Sequence, residues 1–252
     1  MRFNSGAILG LTLLAGILTG AAARAEEVPQ SCDVSASLLA TESALPKVTE
    51  AVKSGHPLDI LVVGSRSSTI SASEASAYPA RLQALLKEKL PAVVVNLSVD
   101  LEAKKTAAEV ATGLAGLVEA KRPTLVIWQT GTVDAMRAVD PDDFRGAVDE
   151  GIAALQNQGV DAILVNLQYS PRTEAMISAS PYLDNMRAVA QQHDIPLFDR
   201  FAIMREWSDA GAFDLSSASH GLELAKRVHD CLGRAMSQFV IDAAHLGPAQ
   251  QN

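Results

Sequence analysis

The sequence has few of the residues from which metal centres and disulfide-rich folds are built. It contains 2 cysteines and 5 histidines in 252 residues. Two cysteines cannot form a zinc ribbon or a dense disulfide scaffold. Glycine (16) and proline (11) are too few for a collagen-like or low-complexity chain. Aromatic residues make up only 4%, whereas the hydrophobic set reaches 48%, enough for one sizeable core.

Positive charge is also scarce. The chain has 21 basic and 29 acidic residues, a formal net charge of −8. A surface that binds nucleic acid needs the opposite balance, because it must neutralise phosphates. We therefore expect no nucleic-acid partner.

The beginning of the chain has the pattern of a secretory signal peptide. Arg2 precedes an uncharged apolar run over residues 7–18, and Ala23-Arg24-Ala25 offers the small residues that signal peptidase reads. We predict cleavage after Ala25. The apolar run is shorter than the roughly 20 residues that span a bilayer, so we expect no membrane span in the mature chain. Cleavage would take the net charge from −8 to −10.

Export changes what the two cysteines imply. In an oxidising compartment Cys32 and Cys231 are predicted to form a structural disulfide, which would tie the start of the mature chain to its last helix. The alternative is a pair of buried free thiols.

Short apolar runs alternate with segments of helical spacing along the chain. Strands are predicted at residues 58–64, 92–97, 124–129, 162–167 and 196–198, each followed by a helix. This alternation predicts an α/β fold, a single-domain three-layer αβα sandwich with a mainly parallel sheet of roughly five strands. The predicted boundaries are 1–25 for the signal peptide, 26–56 for an N-terminal helical lead, 57–243 for the domain and 244–252 for a tail.

Ligands of such folds bind outside the carboxyl ends of the strands. The segments that follow the predicted strands are therefore the candidate site. They comprise residues 64–69, 98–100, 129–134 and 168–172, together with residues 214–223 before the final helix.

These segments resemble the SGNH (GDSL-type) hydrolases, the secreted bacterial members especially. LVVGSRSST corresponds to the family's first block, NLSVDLE to its second and WQTGTVDAMR to its third, and QYSPR and RFAIMREW are also similar. The resemblance covers roughly residues 57 to 240. It implies a flavodoxin-like SGNH-hydrolase fold, ester-hydrolase ancestry and no cofactor.

The family's catalytic positions, however, carry other residues in this sequence. The nucleophilic serine of the resemblance falls on Arg66, the block-two glycine on Asp100 and the block-three asparagine on Val133. The Asp-x-x-His run becomes His220-Gly221-Leu222-Glu223. Because a serine hydroxyl needs a base and the tetrahedral anion needs preorganised donors, this pattern predicts loss of the ancestral chemistry.

The leading hypothesis is therefore a degenerate member that binds a small envelope or glycan-type ligand at the former active site. The candidate binding residues are Ser65, Arg66, Asp100, Gln129, Asp134, Tyr169 and Glu223, with His220 beside them. We expect Arg66 to point into the crevice within ion-pair reach of Asp100 or Glu223, since its guanidinium suits acidic groups. A salt-bridge cluster without any ligand is the plainer interpretation.

Two other hypotheses remain open. In the first, the protein is an active esterase in which Ser67 or Ser65 is the nucleophile, His220 is the base, and Asp214 or Glu223 orients it. In the second, His220 and Glu223 bind a metal ion together with Asp100 or Asp134. Because the His-x-x-Glu spacing is a weak signal, we predict no metal.

Overall fold

Five parallel strands form one sheet at the centre of the molecule. The computed structural model describes residues 1, 32–216 and 221–247. The strands are β1 (Leu58–Gly64), β2 (Val95–Leu101), β3 (Leu125–Gln129), β4 (Asp161–Val165) and β5 (Leu197–Phe198), in the order β2-β1-β3-β4-β5. β1, β3 and β4 are almost entirely buried, as expected of the apolar, β-branched runs that a parallel sheet requires.

Helices cover the sheet in two groups. α3 (Tyr78–Lys89) packs against α10 (Gly221–Ala243), whereas α6 (Pro141–Asn157) packs between α4 (Ala107–Lys121) and α8 (Ser180–Gln192). The remaining helices are α1 (Ala36–Leu39), α2 (Pro46–Lys53), α5 (Thr132–Met136), α7 (Pro171–Met176) and α9 (Arg200–Asp209). The predicted α/β class, with a parallel sheet flanked by helices, is confirmed.

The second strand lies further along the chain than the sequence predicted. β2 begins at Val95 instead of residue 92, because residues 91–93 form a turn after α3. Its apolar residues alternate with Asn96, Ser98 and Asp100, since β2 is an edge strand with only one neighbour. As a result Asp100 lies inside the strand, paired with Val63, and not in the loop that follows it.

Short elements account for the other differences. The helix predicted over residues 35–54 is interrupted, because α1 ends at Leu39 and α2 starts at Pro46, where proline fits the first turn. α5 and α7 were not predicted. With five and six residues, they are too short to show a helical period in the sequence.

α10 contacts α3 through a glycine, Gly233, at which no larger residue fits. A Cβ added at Gly233 would lie 2.6 Å from Cβ of Arg81 and 3.3 Å from the backbone nitrogen of Leu82. A larger residue would therefore push the two helices apart. This close approach brings His229 and Cys231 of α10 next to the start of α3 and to the N-terminal segment.

The predicted disulfide is confirmed. Cys32 and Cys231 are bonded across 199 residues of sequence, with their Cα atoms 5.0 Å apart. The bond joins the segment before α1 to the buried side of α10. Within the described part of the chain, no helix has the length and apolar character needed to cross a membrane.

Removal of this disulfide is expected to lower the free energy of unfolding by about 4 kcal/mol, because it closes a very long loop in the unfolded chain. Urea unfolding of a Cys32→Ser/Cys231→Ser double variant measures the loss. A reducing agent should lower the free energy of unfolding of the wild type to that of the variant and should not change the variant's own value. Equal stability of wild type and variant under oxidising conditions would contradict a stabilising role.

Candidate functional site

Three serines fold over the carboxyl end of β1. The strand ends at Gly64, Ser65 follows in extended conformation, and Arg66–Ser68 form a 3₁₀ turn. A Cβ at Gly64 would lie 2.8 Å from Ser68 Oγ, so the turn closes this tightly only over a glycine. Ser68 is fully buried, whereas Ser65 and Ser67 are half-buried.

The side chain of Gln129 holds these serines together. Gln129 ends β3, next to β1, and is 3% exposed. Its carbonyl oxygen accepts the Ser68 hydroxyl, and its amide nitrogen donates to Ser67 Oγ at 2.8 Å and to Ser65 Oγ at 3.3 Å. Ser65 and Ser67 are themselves hydrogen-bonded at 3.1 Å. One buried amide therefore engages all three hydroxyls.

A buried arginine holds the same turn from beneath. Arg200, at the start of α9, is 1% exposed, and it donates to the carbonyl oxygen of Ser67 at 2.9 Å and to its Oγ at 3.3 Å. Burial lowers the pKa of the guanidinium to about 10, so it stays charged at neutral pH. Among the described residues no carboxylate pairs with Arg200, because the adjacent Asp199 binds Arg187 and caps α9.

Behind the turn lies a buried histidine that acts as an acceptor. Nδ1 of His229 accepts the backbone N–H of Tyr78 at 3.0 Å, and the two rings stack with centroids 6.0 Å apart. Burial and the charge of Arg200 lower the pKa of His229 to about 3. Burial also raises the pKa of Tyr78, against the opposing effects of Ser68 and Arg200. His229 is therefore neutral at physiological pH, with one ring nitrogen already occupied.

The described part of this arrangement supplies donors to Ser67 but no base. Its hydroxyl oxygen receives an amide and a guanidinium hydrogen bond, and its remaining partner is another hydroxyl. In residues 32–216 and 221–247, no imidazole or carboxylate contacts Ser65, Ser67 or Ser68. A serine without a base is a poor nucleophile.

The crevice between the carboxyl ends of β1 and β3 is almost filled. Its volume is ≈ 10 Å³, and its lining includes Ser65, Gln129 and Val133. Lys105 and Glu102 also line it and form an ion pair at 2.8 Å. A volume of about 10–15 Å³ holds a single water molecule, so an ester group does not fit here.

Open space lies instead on the other side of the 3₁₀ turn. A cavity of ≈ 630 Å³ runs between β2, the start of α3 and the turn. Arg66, Thr69 and Glu74 are among its polar lining residues, and its apolar lining is aliphatic, formed largely by Pro79, Ala80, Leu97, Val99 and Leu101. Its volume is typical of a small-molecule site.

Arg66 does not make the ion pair that the sequence led us to expect. Its side chain is exposed at the edge of the ≈ 630 Å³ cavity, and within the described chain it contacts neither Asp100 nor Glu223. Asp100 is held within β2, and Glu223 pairs with Lys226 at 2.8 Å on the first turn of α10. The expected salt-bridge cluster is therefore wrong.

Two other predicted residues have structural contacts away from the cavity. Asp134 is 1% exposed, and its carboxylate accepts the backbone N–H of Ala107 at 2.8 Å, at the start of α4. Burial raises its pKa. Tyr169 is 4% exposed and packs edge-on against Phe201, with ring centroids 5.1 Å apart. Their predicted place in the lining of a pocket is thus corrected.

His220 lies outside the described residues, so its predicted role as a base or metal ligand stays a prediction. Within the described ranges, no cluster of three or more histidine, cysteine or acidic side chains is arranged to hold a metal ion.

Arg200 and Tyr78 were not identified from the sequence as residues of the site. Arg200 was accessible in principle, because it follows β5 at the same carboxyl edge of the sheet as the other candidates.

Comparisons with known proteins agree with this geometry. The model of the Non-GDSL lipase-like family matches residues 31–246. TesA is similar in structure, with a TM-score of 0.55 at 18% identity, covering 71% of this chain and 98% of TesA. Axe2, an acetylxylan esterase from Geobacillus stearothermophilus, has a TM-score of 0.60 at 14% identity, and the alignment covers 73% of this chain and 94% of Axe2. No curated protein sequence matches the chain.

The psychrotrophic esterase EstA from Pseudoalteromonas sp. has the same fold. Its TM-score is 0.57 at 14% identity, and the alignment covers 73% of this chain and 96% of EstA. At these identities the likeness concerns the fold, and the chemistry must be argued from the residues present.

The burial of His229, together with the charge of Arg200, makes stability depend on pH. The pKa of His229 is about 3 in the folded protein and near 6.5 in the unfolded chain, so the unfolded chain binds the proton first on acidification. Folding stability should therefore fall as the pH drops from above 6.5 towards 3, by at most about 5 kcal/mol from this group.

Urea unfolding of wild type and His229→Gln over this pH range tests the assignment, because glutamine can still accept the Tyr78 N–H but does not titrate. The stability difference between the two proteins should shrink or reverse on acidification. Parallel pH profiles would show that His229 is not held neutral.

Proposed function

Because the chain belongs to the Non-GDSL lipase-like family and has the SGNH/GDSL esterase-like fold, we propose that it is an exported, non-hydrolytic member that binds a small ligand. The resemblance predicted from the sequence is confirmed at the level of family and fold. The observation that carries the proposal is that, among the described residues, none of the hydrogen-bond partners of the serines beside Arg66 is a base.

Ester hydrolysis on this fold needs a nucleophile with a base and donors for the oxyanion. The nucleophile position of the resemblance carries Arg66, whose guanidinium cannot attack a carbonyl carbon at neutral pH. Ser67 follows Arg66 in the turn, and its hydrogen-bond partners in the described part of the chain are Gln129, Arg200 and Ser65. Val133, at the asparagine position, has no side-chain donor to offer.

The distribution of space also supports binding without hydrolysis. The ≈ 10 Å³ crevice at the ends of β1 and β3 leaves no room for an ester. The ≈ 630 Å³ cavity begins at Arg66, which faces solvent without an ion pair in the described structure. A ligand placed there would contact the former nucleophile position without reaching a reactive group. The expected ligand is a small molecule of the cell envelope.

Export is the second part of the proposal. Residues 1–25 have the charge, apolar run and small residues of a signal peptide. The disulfide between Cys32 and Cys231 supports it, because such bonds persist in oxidising compartments such as the periplasm or the extracellular medium.

An active esterase is the second candidate, and one observation favours it. Ser67 Oγ receives hydrogen bonds from Gln129 and from the Arg200 guanidinium, which would stabilise its alkoxide. With Ser67 or Ser65 as nucleophile and His220 as base, the enzyme would have a rebuilt site. The filled crevice at the strand ends argues against it.

A fluorophosphonate probe distinguishes the two candidates. Because the probe labels serines that a base activates, intact-mass spectrometry of the purified protein should show no adduct. An active serine esterase of the same fold, treated in parallel, provides the positive control. A stoichiometric adduct that maps to Ser65, Ser67 or Ser68 would overturn the proposal.

Two variants sharpen this experiment. Arg66→Ser restores a hydroxyl at the nucleophile position but neither a base nor the missing oxyanion donor, so it should also stay unlabelled. If the wild type is labelled, Ser67→Ala identifies the nucleophile: loss of the adduct assigns it to Ser67, and a persistent adduct points to Ser65 or Ser68.

A further inference from the structure

The ≈ 630 Å³ cavity has the shape of a groove between a strand and a helix. Leu97, Val99 and Leu101 alternate along β2 and line one wall, over about 13 Å. Pro79 and Ala80 of α3 line the opposite wall. Because the side chain of Ala80 is short, a space remains between β2 and α3 that a larger residue would fill.

The groove exposes apolar surface that the protein itself does not cover. Val99 is 50% exposed, although it sits in the sheet, and Leu97 and Leu101 are only partly buried. Covering aliphatic surface of this kind contributes roughly 25 cal/mol per Å². Among the described lining residues none is aromatic, so the groove lacks flat rings on which a sugar or another ring could stack. An aliphatic chain suits this lining best.

One end of the groove is positively charged. Gly64 pairs with Leu101 in the sheet, which places the turn that carries Arg66 at the Leu101 end. Arg66 forms no ion pair with any described residue, and the buried, unpaired Arg200 lies beneath the same turn. In the described lining Glu74 is the one carboxylate and Arg66 the one cation, and the two are not within ion-pair distance of each other. The buried Arg200 adds a second positive charge beneath the turn.

We propose that this groove binds a molecule with one anionic group and an unbranched aliphatic chain. The anionic group pairs with Arg66, and the chain lies along Leu101, Val99 and Leu97. The inference rests on the proposed function, because it names the ligand class of that binding site. The ligand class is an aliphatic acid instead of the glycan that the sequence also led us to expect.

Isothermal titration with decanoate and with decanol tests the inference, because the two probes share a chain length and differ in charge. The wild type should bind decanoate saturably and about tenfold more tightly than decanol, the margin expected of a charge-assisted hydrogen bond. Arg66→Gln should lose this preference and bind both probes equally. Because Arg66 is exposed and unpaired, this variant should keep the thermal stability of the wild type.

Three further variants serve as controls. Arg172→Gln removes the same charge from an exposed arginine outside the groove and should leave the preference unchanged. Val99→Asp places a carboxylate against the aliphatic chain of the probe and should lower the affinity for both probes about tenfold. Glu74→Gln should tighten decanoate binding and leave decanol unaffected, because it removes a like charge.

No saturable decanoate binding by the wild type, or a preference for decanoate that survives Arg66→Gln, would overturn the inference. The fluorophosphonate experiment separates this failure from that of the proposed function. No adduct and no decanoate binding would reject only the ligand class, whereas an adduct would reject the non-hydrolytic function whatever decanoate does.

Discussion

The site depends on the hydrogen bonds that the buried amide of Gln129 and the buried guanidinium of Arg200 make to the turn after β1. Gln129 engages all three serine hydroxyls, and Arg200 holds both the carbonyl and the hydroxyl of Ser67. Buried polar groups are costly unless they are paired, so such a network fixes the turn in a single conformation. The same bonds that order Ser67 also supply its oxygen with donors, and none of its partners among the described residues is a base.

The position of the open space follows from this network. With the turn folded down onto Gly64 and Gln129, the crevice at the ends of β1 and β3 closes to ≈ 10 Å³, and Arg66 is left on the outer side of the turn. The ≈ 630 Å³ cavity lies along β2, an edge strand with a single neighbour in the sheet. The cation and the aliphatic wall that the proposed ligand would meet therefore belong to one groove, with Arg66 at its Leu101 end.

Much of the fold was predictable because it depends on local patterns. β1, β3 and β4 are continuous apolar runs, and the helices between them have clear 3.6-residue spacing, so both were assigned close to their observed bounds. The predicted start of β2 was three residues too early, because an edge strand is only half buried and its alternation of apolar and polar residues is weaker. Among the site residues, Gln129 and the serines were found by the rule that ligands lie at the carboxyl ends of strands. Arg66 was found in the same way, but its predicted partners were wrong, because Asp100 is fixed in β2 and Glu223 pairs within its own helix.

The sequence by itself determined the fold class, the family resemblance and the pairing of the two cysteines. Each of these depends on residue identity, on spacing along the chain or on there being only one possible pair. Only the tertiary structure decided that Arg200 and Tyr78 lie under the serine turn, that Asp134 faces α4 and that the ≈ 630 Å³ cavity lies along β2. These contacts join residues far apart in sequence, and whether a side chain pairs, caps a helix or faces a cavity depends on the distances that packing sets.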